Sequence, residues 1–373
     1  MMKNEQLLDK IHLVVKKLMN LGSSDYEQDK TADKDSCRKG IIQRDFGIEE
    51  WDWPQGIGLY GLYKLQTHYG DGRYNDFFSN WYEHNIQSGL PSKNINTTAP
   101  FLALVNLWDQ LPEADNYKAM CLERADWLIH ELPKTREGGF QHVTSAIGDR
   151  NGVNLNHGQI WVDTLVMSVL FLNMAGQRYD NASWKDEAVH QFLLHIKYLY
   201  DKQTGLFHHG FSFERNDNFG GIFWCRGNSW FTYGVMDYLD ACKSGIAPGV
   251  NAYLTDTFRA QAEALRNLQA PSGLWHTVLT DETSYEEVSG SAAITAGILK
   301  GLRAGVLDSS YRKVADQAIE AICRNVSKDG TVLNVSAGTG IGMDSEHYKN
   351  IAVMPMAYGQ SLALIALCEA LEG

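Results

Sequence analysis

Two kinds of helical segment alternate along this chain, and their alternation constrains the fold more than any other feature of the sequence. Segments of the first kind are amphipathic and well charged, with apolar residues near the i, i+3, i+4, i+7 spacing of a helix. They span residues 5–19, 74–86, 117–132, 184–200, 254–268 and 311–326. One face of each such helix suits contact with water, so we interpret them as outer helices.

Segments of the second kind are apolar on nearly every face and contain Gly, Ala and Ser. They span residues 53–65, 98–108, 160–173, 224–239, 289–302 and 355–371. A helix that is hydrophobic all round must be buried, and small residues let neighbouring helices approach closely. These segments are predicted to be inner helices.

Six outer and six inner segments make six helical hairpins, which predict an all-α protein with an (α/α)6 barrel, a six-hairpin toroid. The later inner helices begin near residues 160, 224, 289 and 356, a spacing of about 65 residues that indicates a repeat. We expect residues 1–373 to form a single catalytic domain, because no Pro/Ser-rich linker divides the chain. The alternative is an open α-solenoid that binds other proteins.

A glycine turn followed by a short apolar stretch recurs between the hairpins. It is found at residues 137–142, 203–209, 271–277 and 328–334. Each is predicted to continue into a brief strand-like segment on one face of the barrel.

Composition narrows the class of ligand and the compartment. A net charge of −12 without a Lys/Arg cluster argues against nucleic acid as a partner. The 10 Trp, 17 Tyr and 14 Phe favour a cleft for sugars or other flat ligands. The six cysteines, Cys37 among them, lack CxxC spacing and suit reduced thiols. With neither a signal peptide nor a membrane-spanning run, we expect a cytoplasmic protein without a membrane partner.

The predicted start of each inner helix carries aromatic, amide or charged side chains. In chain order these are Trp51, Asp52, Trp53 and Gln55; Asn96 and Thr97; His157, Gln159, Trp161 and Asp163; Trp224, Arg226, Asn228 and Trp230; and Tyr285, Glu287 and Ser289. In a closed barrel they would converge on one mouth, together with His142 and His209 of the glycine-turn loops. Acids, aromatic rings, one Arg and several His suit a sugar, including one with its own carboxylate.

Asp163 lies inside the apolar run GQIWVDTLVMSVLFLN, residues 158–173. Burying an unpaired carboxylate is costly, so Asp163 is either satisfied by a partner or poised for chemistry. A structural alternative is that Asp163 simply caps its helix. The helix dipole would favour the charged carboxylate, whereas the apolar neighbours Trp161 and Val162 would favour a raised pKa.

Structural alternatives also stand for the other candidates. Asn96 is at least as well suited to capping as to binding, and Arg226 suits pairing with a buried carboxylate. His142 and His209 also suit loop histidines with satisfied hydrogen bonds. No spacing of His or Cys predicts a metal site, and no GxSxG or P-loop is present, so we expect neither a metal nor a cofactor.

The stretch GIGLYG, residues 56–61, matches the GxGxxG pattern of dinucleotide-binding proteins. That site requires a strand directly before the glycines and a βαβ unit around them. Here the glycines fall within an inner helix, so we interpret them as contacts between closely packed helices.

Six motifs, in their order along the chain, carry a family resemblance. They are WDWPQG (51–56), GGFQH (138–142), QIWVDTLVM (159–167), TGLFHH (204–209), WCRGNSW (224–230) and EEVSGS (286–291). With these motifs the chain resembles the unsaturated rhamnogalacturonyl hydrolases of glycoside hydrolase family 105, relatives of the unsaturated glucuronyl hydrolases. The resemblance covers nearly the whole chain and implies an (α/α)6 barrel.

The resemblance also implies roles for individual residues. Asp163 matches the family's general acid/base. Its pocket positions around the unsaturated uronic acid match His209, Trp224, Arg226 and Trp230, and further pocket positions match His142 and Trp53. Asn96 falls where family members typically carry a second Asp, and the polar loop at 144–158 falls where the leaving sugar should lie.

The family's reaction is hydration of a C4=C5 double bond, which one acid/base residue can serve, whereas ordinary glycosidases need two carboxylates. The expected function is removal of the 4,5-unsaturated galacturonyl residue from the non-reducing end of small rhamnogalacturonan fragments, as used in pectin degradation. The partner is then a small unsaturated oligosaccharide, and the protein is a monomer or a homodimer. Alternatives are a glucuronyl hydrolase acting on other lyase products, a sugar isomerase or epimerase using His142 and His209, and a non-catalytic scaffold.

Overall fold

A computed structural model describes residues 4–22, 47–146, 149–243 and 245–372. Cys37, one of the expected reduced thiols, lies outside the described residues, as do positions 147 and 148 of the polar loop. The other five cysteines are buried and free. None of the helices in the described ranges is long and apolar enough to cross a membrane.

Thirteen α-helices occur in the described part of the chain. In order they are α1 (Asn4–Met19), α2 (Trp53–Tyr69), α3 (Asn75–Gln87), α4 (Phe101–Leu107), α5 (Ala114–His130), α6 (Leu170–Arg178), α7 (Ala182–Leu199), α8 (Cys225–Cys242), α9 (Pro248–Asn267), α10 (Val288–Arg303), α11 (Arg312–Arg324), α12 (Ser345–Lys349) and α13 (Ala357–Leu371). The odd-numbered helices from α1 to α11 are the predicted outer helices. Helices α2, α4, α6, α8, α10 and α13 are the predicted inner ones.

The inner helices form a closed ring. Each packs on the next in the order α2, α4, α6, α8, α10 and α13, and α13 packs back on α2. An open solenoid would leave its first and last repeats apart. The (α/α)6 barrel is therefore confirmed.

The glycines of the GxGxxG match lie where inner helices touch. A Cβ atom at Gly56 would overlap the backbone at Pro100, before α4, and one at Gly61 would overlap Ser361 of α13. The Ser361 hydroxyl donates a hydrogen bond to the carbonyl oxygen of Ile57 in α2, at 2.5 Å. The interpretation as helix packing is confirmed.

Short antiparallel strand pairs lie at the mouth of the barrel. They are β1 (Val143–Ser145) with β2 (Val153–Leu155), β3 (Gln159–Trp161) with β6 (Gly210–Ser212), β4 (Tyr200–Asp201) with β5 (Leu206–Phe207), and β7 (Trp275–His276) with β8 (Glu286–Glu287). Strands β5 and β7 and the isolated bridges at Phe140 and Val332 are the strand-like segments expected after the glycine turns. Their turn glycines, Gly138, Gly205, Gly273 and Gly330, all have φ between 77° and 99°, which favours glycine.

Two predicted inner helices differ from the sequence-based boundaries. The segment predicted as helix over 160–173 begins as strand β3, continues as a π-helix (Leu165–Val169) and becomes α-helical only at Leu170. Residues 159–161 are extended because they pair with β6, a partner about 50 residues away. Helix α4 is shorter than predicted, since a 3₁₀ turn (Asn96–Thr98) precedes it and Pro100 lacks the N–H needed within a helix.

A buried charge network joins the inner helices at the end of the barrel opposite the strand pairs. Asp237 of α8 is fully buried and accepts hydrogen bonds from Lys64 of α2 at 2.7 Å and from the hydroxyls of Tyr60 and Tyr233. Lys300 of α10 lies 3.0 Å from the same carboxylate. Burial raises the pKa of Asp237, but the two ammonium groups outweigh it and hold the pKa well below its usual value.

Replacing Asp237 tests this network. We expect Asp237→Asn to lower the free energy of unfolding by about 3–5 kcal/mol at pH 7, because it leaves ammonium groups without their buried counter-charge. Since the folded-state pKa is depressed, this stabilisation is present above the unfolded pKa of about 4 and is lost as the pH falls below it. Urea unfolding at pH 7 and at lower pH measures both effects.

Asp240→Asn is the matched control, because Asp240 contacts the same Lys300 at 3.0 Å while its own side chain is 67% exposed. We expect it to cost less than about 1 kcal/mol. Equal losses for the two variants would contradict the role assigned to Asp237.

Candidate active site

A cavity of about 360 Å³ opens at the amino-terminal ends of the inner helices. It is lined by Asp52, Trp53, Asn96, His142, Thr144, Ser145, Asn154, Asn156, Trp161, Asp163, Met167, Trp224, Arg226, Gly338, Thr339 and Gly340. Six of the eight site residues expected from sequence are among them. The other two, His209 and Trp230, lie directly behind the wall and contact Asp163.

The strand pair β3–β6 brings Asp163 and His209 together. Asp163 follows β3 by two residues, and His209 immediately precedes β6. Trp161 pairs with Gly210 in the ladder, and the N–H of Val162 donates to the carbonyl oxygen of His209 at 2.9 Å. The two side chains thus meet although 46 residues separate them in sequence.

The carboxylate of Asp163 is held from two sides. Its Oδ1 accepts a hydrogen bond from Trp230 Nε1 at 3.1 Å, and its Oδ2 lies 3.2 Å from His209 Nε2. The latter pair is at ion-pair distance, but neither atom makes a well-aligned hydrogen bond in the free protein. The backbone carbonyl of Asp163 starts the helical turns, accepting from Val166 and Met167. Neither side-chain oxygen of Asp163 accepts a backbone N–H of the following turn, so the side chain does not cap the helix as the structural alternative required.

Two opposing effects act on the pKa of Asp163, and one of them is larger. Burial raises its pKa, but the attraction of the carboxylate to the neighbouring His209 imidazole, with a smaller contribution from Arg226, outweighs burial and leaves the pKa below its ordinary value. Asp163 is therefore ionised in the free protein at neutral pH. The sequence had left a raised pKa open, and the partners that decide against it arrive from distant segments.

His142 is a buried, neutral imidazole. Burial lowers its pKa to about 3. Its Nδ1 lies 2.9 Å from the hydroxyl of Thr164, and its ring stacks on Trp161 with centroids 4.2 Å apart. The ring is thus fixed at the cavity wall beside Asp163.

Aromatic rings line two sides of the cavity. Trp53 stacks on Tyr358 with centroids 4.5 Å apart and meets Trp230 edge-on. Trp224 packs against His209, with ring centroids 4.4 Å apart. These faces suit the apolar face of a pyranose ring.

Arg226 is fully buried and ties α8 to the segment that begins at Ser336. Its Nη1 donates to the carbonyl oxygen of Ser336 at 2.9 Å, and its Nη2 donates to that of Ala337 at 2.7 Å. Glu287, also fully buried, lies 3.8 Å away. Arg226 thus has the carboxylate partner of the structural alternative and also lines the cavity, one helical turn before Trp230 on the same face of α8.

Asn96 lines the cavity from the 3₁₀ turn before α4, where the backbone N–H of Thr97 donates instead to Asn94 Oδ1 at 2.9 Å. Asp52, by contrast, is 3% exposed and caps α2 by accepting from the N–H of Trp53 at 2.7 Å. In the described ranges no group of three or more His, Cys, Asp or Glu side chains is arranged to hold a metal ion.

Several cavity residues were not selected from the sequence. The hairpin β1–β2 contributes Asn154, and the loop after it contributes Asn156; both belong to the polar loop at 144–158 that was expected where the leaving sugar lies. Gly338, Thr339 and Gly340 come from the loop before α12, which has no helical pattern. Only the polar loop carried a sequence signal, namely its length and polarity.

Comparison with known proteins gives the family. The model for Glycosyl Hydrolase Family 88 matches residues 30–372. The unsaturated rhamnogalacturonyl hydrolase YesR of Bacillus subtilis is 30% identical over 334 residues, which cover 89% of this chain and 93% of that protein.

Solved structures agree with this match. A crystal structure described as a possible member of the GH105 family from Salmonella enterica superposes with a TM-score of 0.89 at 35% identity, covering 100% of this chain and 95% of the other. The unsaturated glucuronyl hydrolase of Bacillus sp. GL1 shares the fold, with a TM-score of 0.70 at 18% identity over 98% of this chain and 96% of that one. The family resemblance drawn from the six motifs is confirmed: the chain belongs to Glycosyl Hydrolase Family 88, with GH105 structural neighbours, and is a glycoside hydrolase.

Proposed function

We propose that this protein removes the 4,5-unsaturated galacturonyl residue from the non-reducing end of small rhamnogalacturonan fragments, with Asp163 as general acid/base. The observation that carries the proposal is that Asp163 is the one carboxylate among the described cavity-lining residues that is not engaged in a helix cap, as Asp52 is. It is held by Trp230 and His209, and Asn96 stands where the family resemblance implies a second Asp. An ordinary glycosidase needs two flanking carboxylates. Hydration of a vinyl ether needs one group that gives and then takes a proton.

The reaction balances with one water molecule. Asp163 gives its proton to C4 of the unsaturated ring while water adds to C5, and the carboxylate takes a proton back from that water. The resulting hemiketal opens to a C5 ketone and leaves C1 as a hemiacetal, which expels the second sugar. The aromatic faces of Trp53 and Trp224 position the ring, and Asn96 serves as a hydrogen-bonding group.

The second sugar is proposed to lie against the polar hairpin. Asn154 and Asn156 line that side of the cavity. Among the described residues that line it, the one cation is Arg226, which is fully buried and bonded to backbone carbonyls. A sulfated or otherwise anionic second sugar would lack a partner there. A neutral sugar such as rhamnose fits these amides better, which favours rhamnogalacturonan products over other lyase products.

We assign the whole chain to one catalytic domain that works without a cofactor in the cytoplasm. Membership in a glycoside hydrolase family favours hydrolysis over isomerisation, and it excludes a purely non-catalytic scaffold. The neutral, Thr164-bonded His142 fits a pocket wall better than an acid/base pair with His209.

Asp163→Asn tests the acid/base role. We expect turnover of an unsaturated galacturonyl-rhamnose disaccharide to fall roughly 10²–10⁴-fold, because the amide cannot deliver the proton to C4. The assay follows loss of the ultraviolet absorbance of the conjugated double bond. Asp256→Asn, which removes an exposed surface carboxylate, is the control. Unchanged turnover in a folded Asp163→Asn protein would rule out the assignment.

A substrate panel tests the second sugar. We expect kcat/KM for the rhamnose-linked unsaturated disaccharide to exceed that for a sulfated hexosamine-linked one by roughly 10-fold or more. On binding, the sulfate group would lose hydrogen bonds to water without gaining a charged partner in the cavity. Asn154→Lys should narrow the ratio by supplying a cation. A preference for the sulfated substrate in the wild-type protein would contradict the proposal.

Proton uptake tests how the ionised carboxylate becomes an acid. A substrate carboxylate in the same cavity raises the pKa of Asp163 by like-charge repulsion, so binding near neutral pH should take up as much as one proton. Titration calorimetry with a saturated galacturonyl disaccharide, in two buffers of different ionisation enthalpy, measures it. The Asp163→Asn protein should take up none. Equal heats in both buffers for the wild-type protein would show that Asp163 stays charged.

A further inference from the structure

Tyr348, which follows the cavity-lining loop in sequence, contacts the partner of the proposed acid. It lies in helix α12 and is 1% exposed. Its hydroxyl oxygen lies 2.9 Å from His209 Nδ1, on the opposite side of the imidazole from Asp163. Tyr348, His209 and Asp163 therefore form a line that ends at the cavity.

The hydrogen-bond pattern fixes which atom of this line carries each proton. The Tyr348 oxygen accepts the backbone N–H of Gly342 at 3.1 Å. The hydroxyl proton of the buried Tyr348 also needs an acceptor. In the described part of the chain, the acceptor within hydrogen-bond distance is His209 Nδ1. Burial raises the pKa of Tyr348, so the phenol remains a donor. An imidazole that accepts at Nδ1 carries its proton on Nε2.

The other end of the imidazole leads to the same tautomer. His209 Nε2 lies 3.2 Å from Asp163 Oδ2. A bare Nε2 lone pair would face a carboxylate lone pair at that distance, which is repulsive. An Nε2–H instead points at the charged carboxylate and stabilises it. The hydrogen bond from this N–H to Asp163 Oδ2 can then shorten when substrate binds.

We propose that Tyr348 is a positioning residue for the reaction, whose hydroxyl holds His209 in the Nε2–H tautomer aimed at Asp163. The proposal rests on the acid/base function proposed for Asp163. Tyr348 acts through His209 and is not among the residues that line the cavity. Its helix, α12, directly follows the loop that supplies Gly338, Thr339 and Gly340 to the cavity wall, and His347 of the same helix contacts Thr339 Oγ1 at 2.7 Å.

Among the described residues, few titratable groups lie around His209. Asp163 faces it from the end of β3, His142 from the loop before β1, and His347 and Tyr348 from α12, while Arg226 of α8 acts on Asp163. His142 is neutral through most of the pH range, since burial lowers its pKa to about 3. A change in the alkaline limb of activity that depends on Tyr348 therefore reports on the His209–Asp163 pair.

The first test reads the tautomer without any substrate. Nitrogen NMR of protein labelled at histidine, with the His209 signals assigned by their loss in His209→Asn, separates a protonated from a bare ring nitrogen. We expect Nε2–H in the wild-type protein and a shift toward mixed tautomers in Tyr348→Phe. An Nδ1–H tautomer in the wild-type protein would overturn the proposal, whether or not the variant folds.

The second test reads catalysis. Tyr348→Phe should lower kcat roughly 10-fold, a part of what general acid catalysis contributes, and leave KM within about twofold. Losing the Nε2–H donor raises the pKa of Asp163, so the alkaline limb of kcat/KM should move to higher pH. Tyr82→Phe is the matched control, because Tyr82 is equally buried and its hydroxyl donates to the carbonyl oxygen of Pro100 at 2.8 Å, away from His209.

The two readouts separate the possible failures. The positioning role would be ruled out if Tyr348→Phe left both the alkaline limb of the kcat/KM profile and the His209 nitrogen signals unchanged. A fall in kcat alone would then have a structural cause. Failure of the wild-type protein to consume any unsaturated disaccharide would defeat the proposed function instead. The NMR result would then still decide whether Tyr348 sets the tautomer.

Discussion

The contact between the first and last inner helices, α2 and α13, is the interaction on which the rest of the structure depends. It closes the ring, and it is possible because Gly61 leaves room for Ser361 against the backbone of α2. Once the ring is closed, most residues of every inner helix are buried. A polar group inside the barrel must then find a partner there or face the cavity, because water does not reach the packed interior freely.

The two ends of the ring satisfy that requirement differently. At one end Asp237 draws Lys64 and Lys300 into a paired network, which ties three inner helices together by charge. At the other end the helix starts surround a cavity, and the polar groups there are fixed but not all fully bonded. Asp163 Oδ2 and His209 Nε2 are the clearest case, since they face each other without an aligned hydrogen bond. A group held in this way has capacity left for a substrate.

The helical architecture and the list of candidate residues followed from local patterns. An inner helix is recognisable because burial on all faces dictates an apolar, small-residue composition over one continuous segment, as in residues 289–302. Asn96, Asp163, Trp224 and Arg226 stood out because polar groups are unusual at the start of such segments. Closure of the ring then brings those starts to one mouth, whatever the details of the loops.

The features missed from the sequence all depend on pairing between distant residues. Strand β3 exists because β6 lies beside it, and that pairing turned a predicted helix start into an extended segment that sets Asp163 next to His209. Tyr348 and the loop at Gly338–Gly340 reach the site from about 175 to 185 residues beyond Asp163, and the loop itself has no helical periodicity that would have marked it. The charge of Asp163 was likewise undecided until its neighbours were known, because burial and His209 act on its pKa in opposite directions.

The sequence by itself determined the barrel, the end of it that carries the site, and most residues that meet there, because these depend on periodicity and composition within single segments. The tertiary structure decided which of those residues touch, that Asp163 rests as a carboxylate, and that Tyr348 stands behind His209. These properties arise from distances of about 3 Å between groups far apart in the chain, and no local pattern encodes such distances.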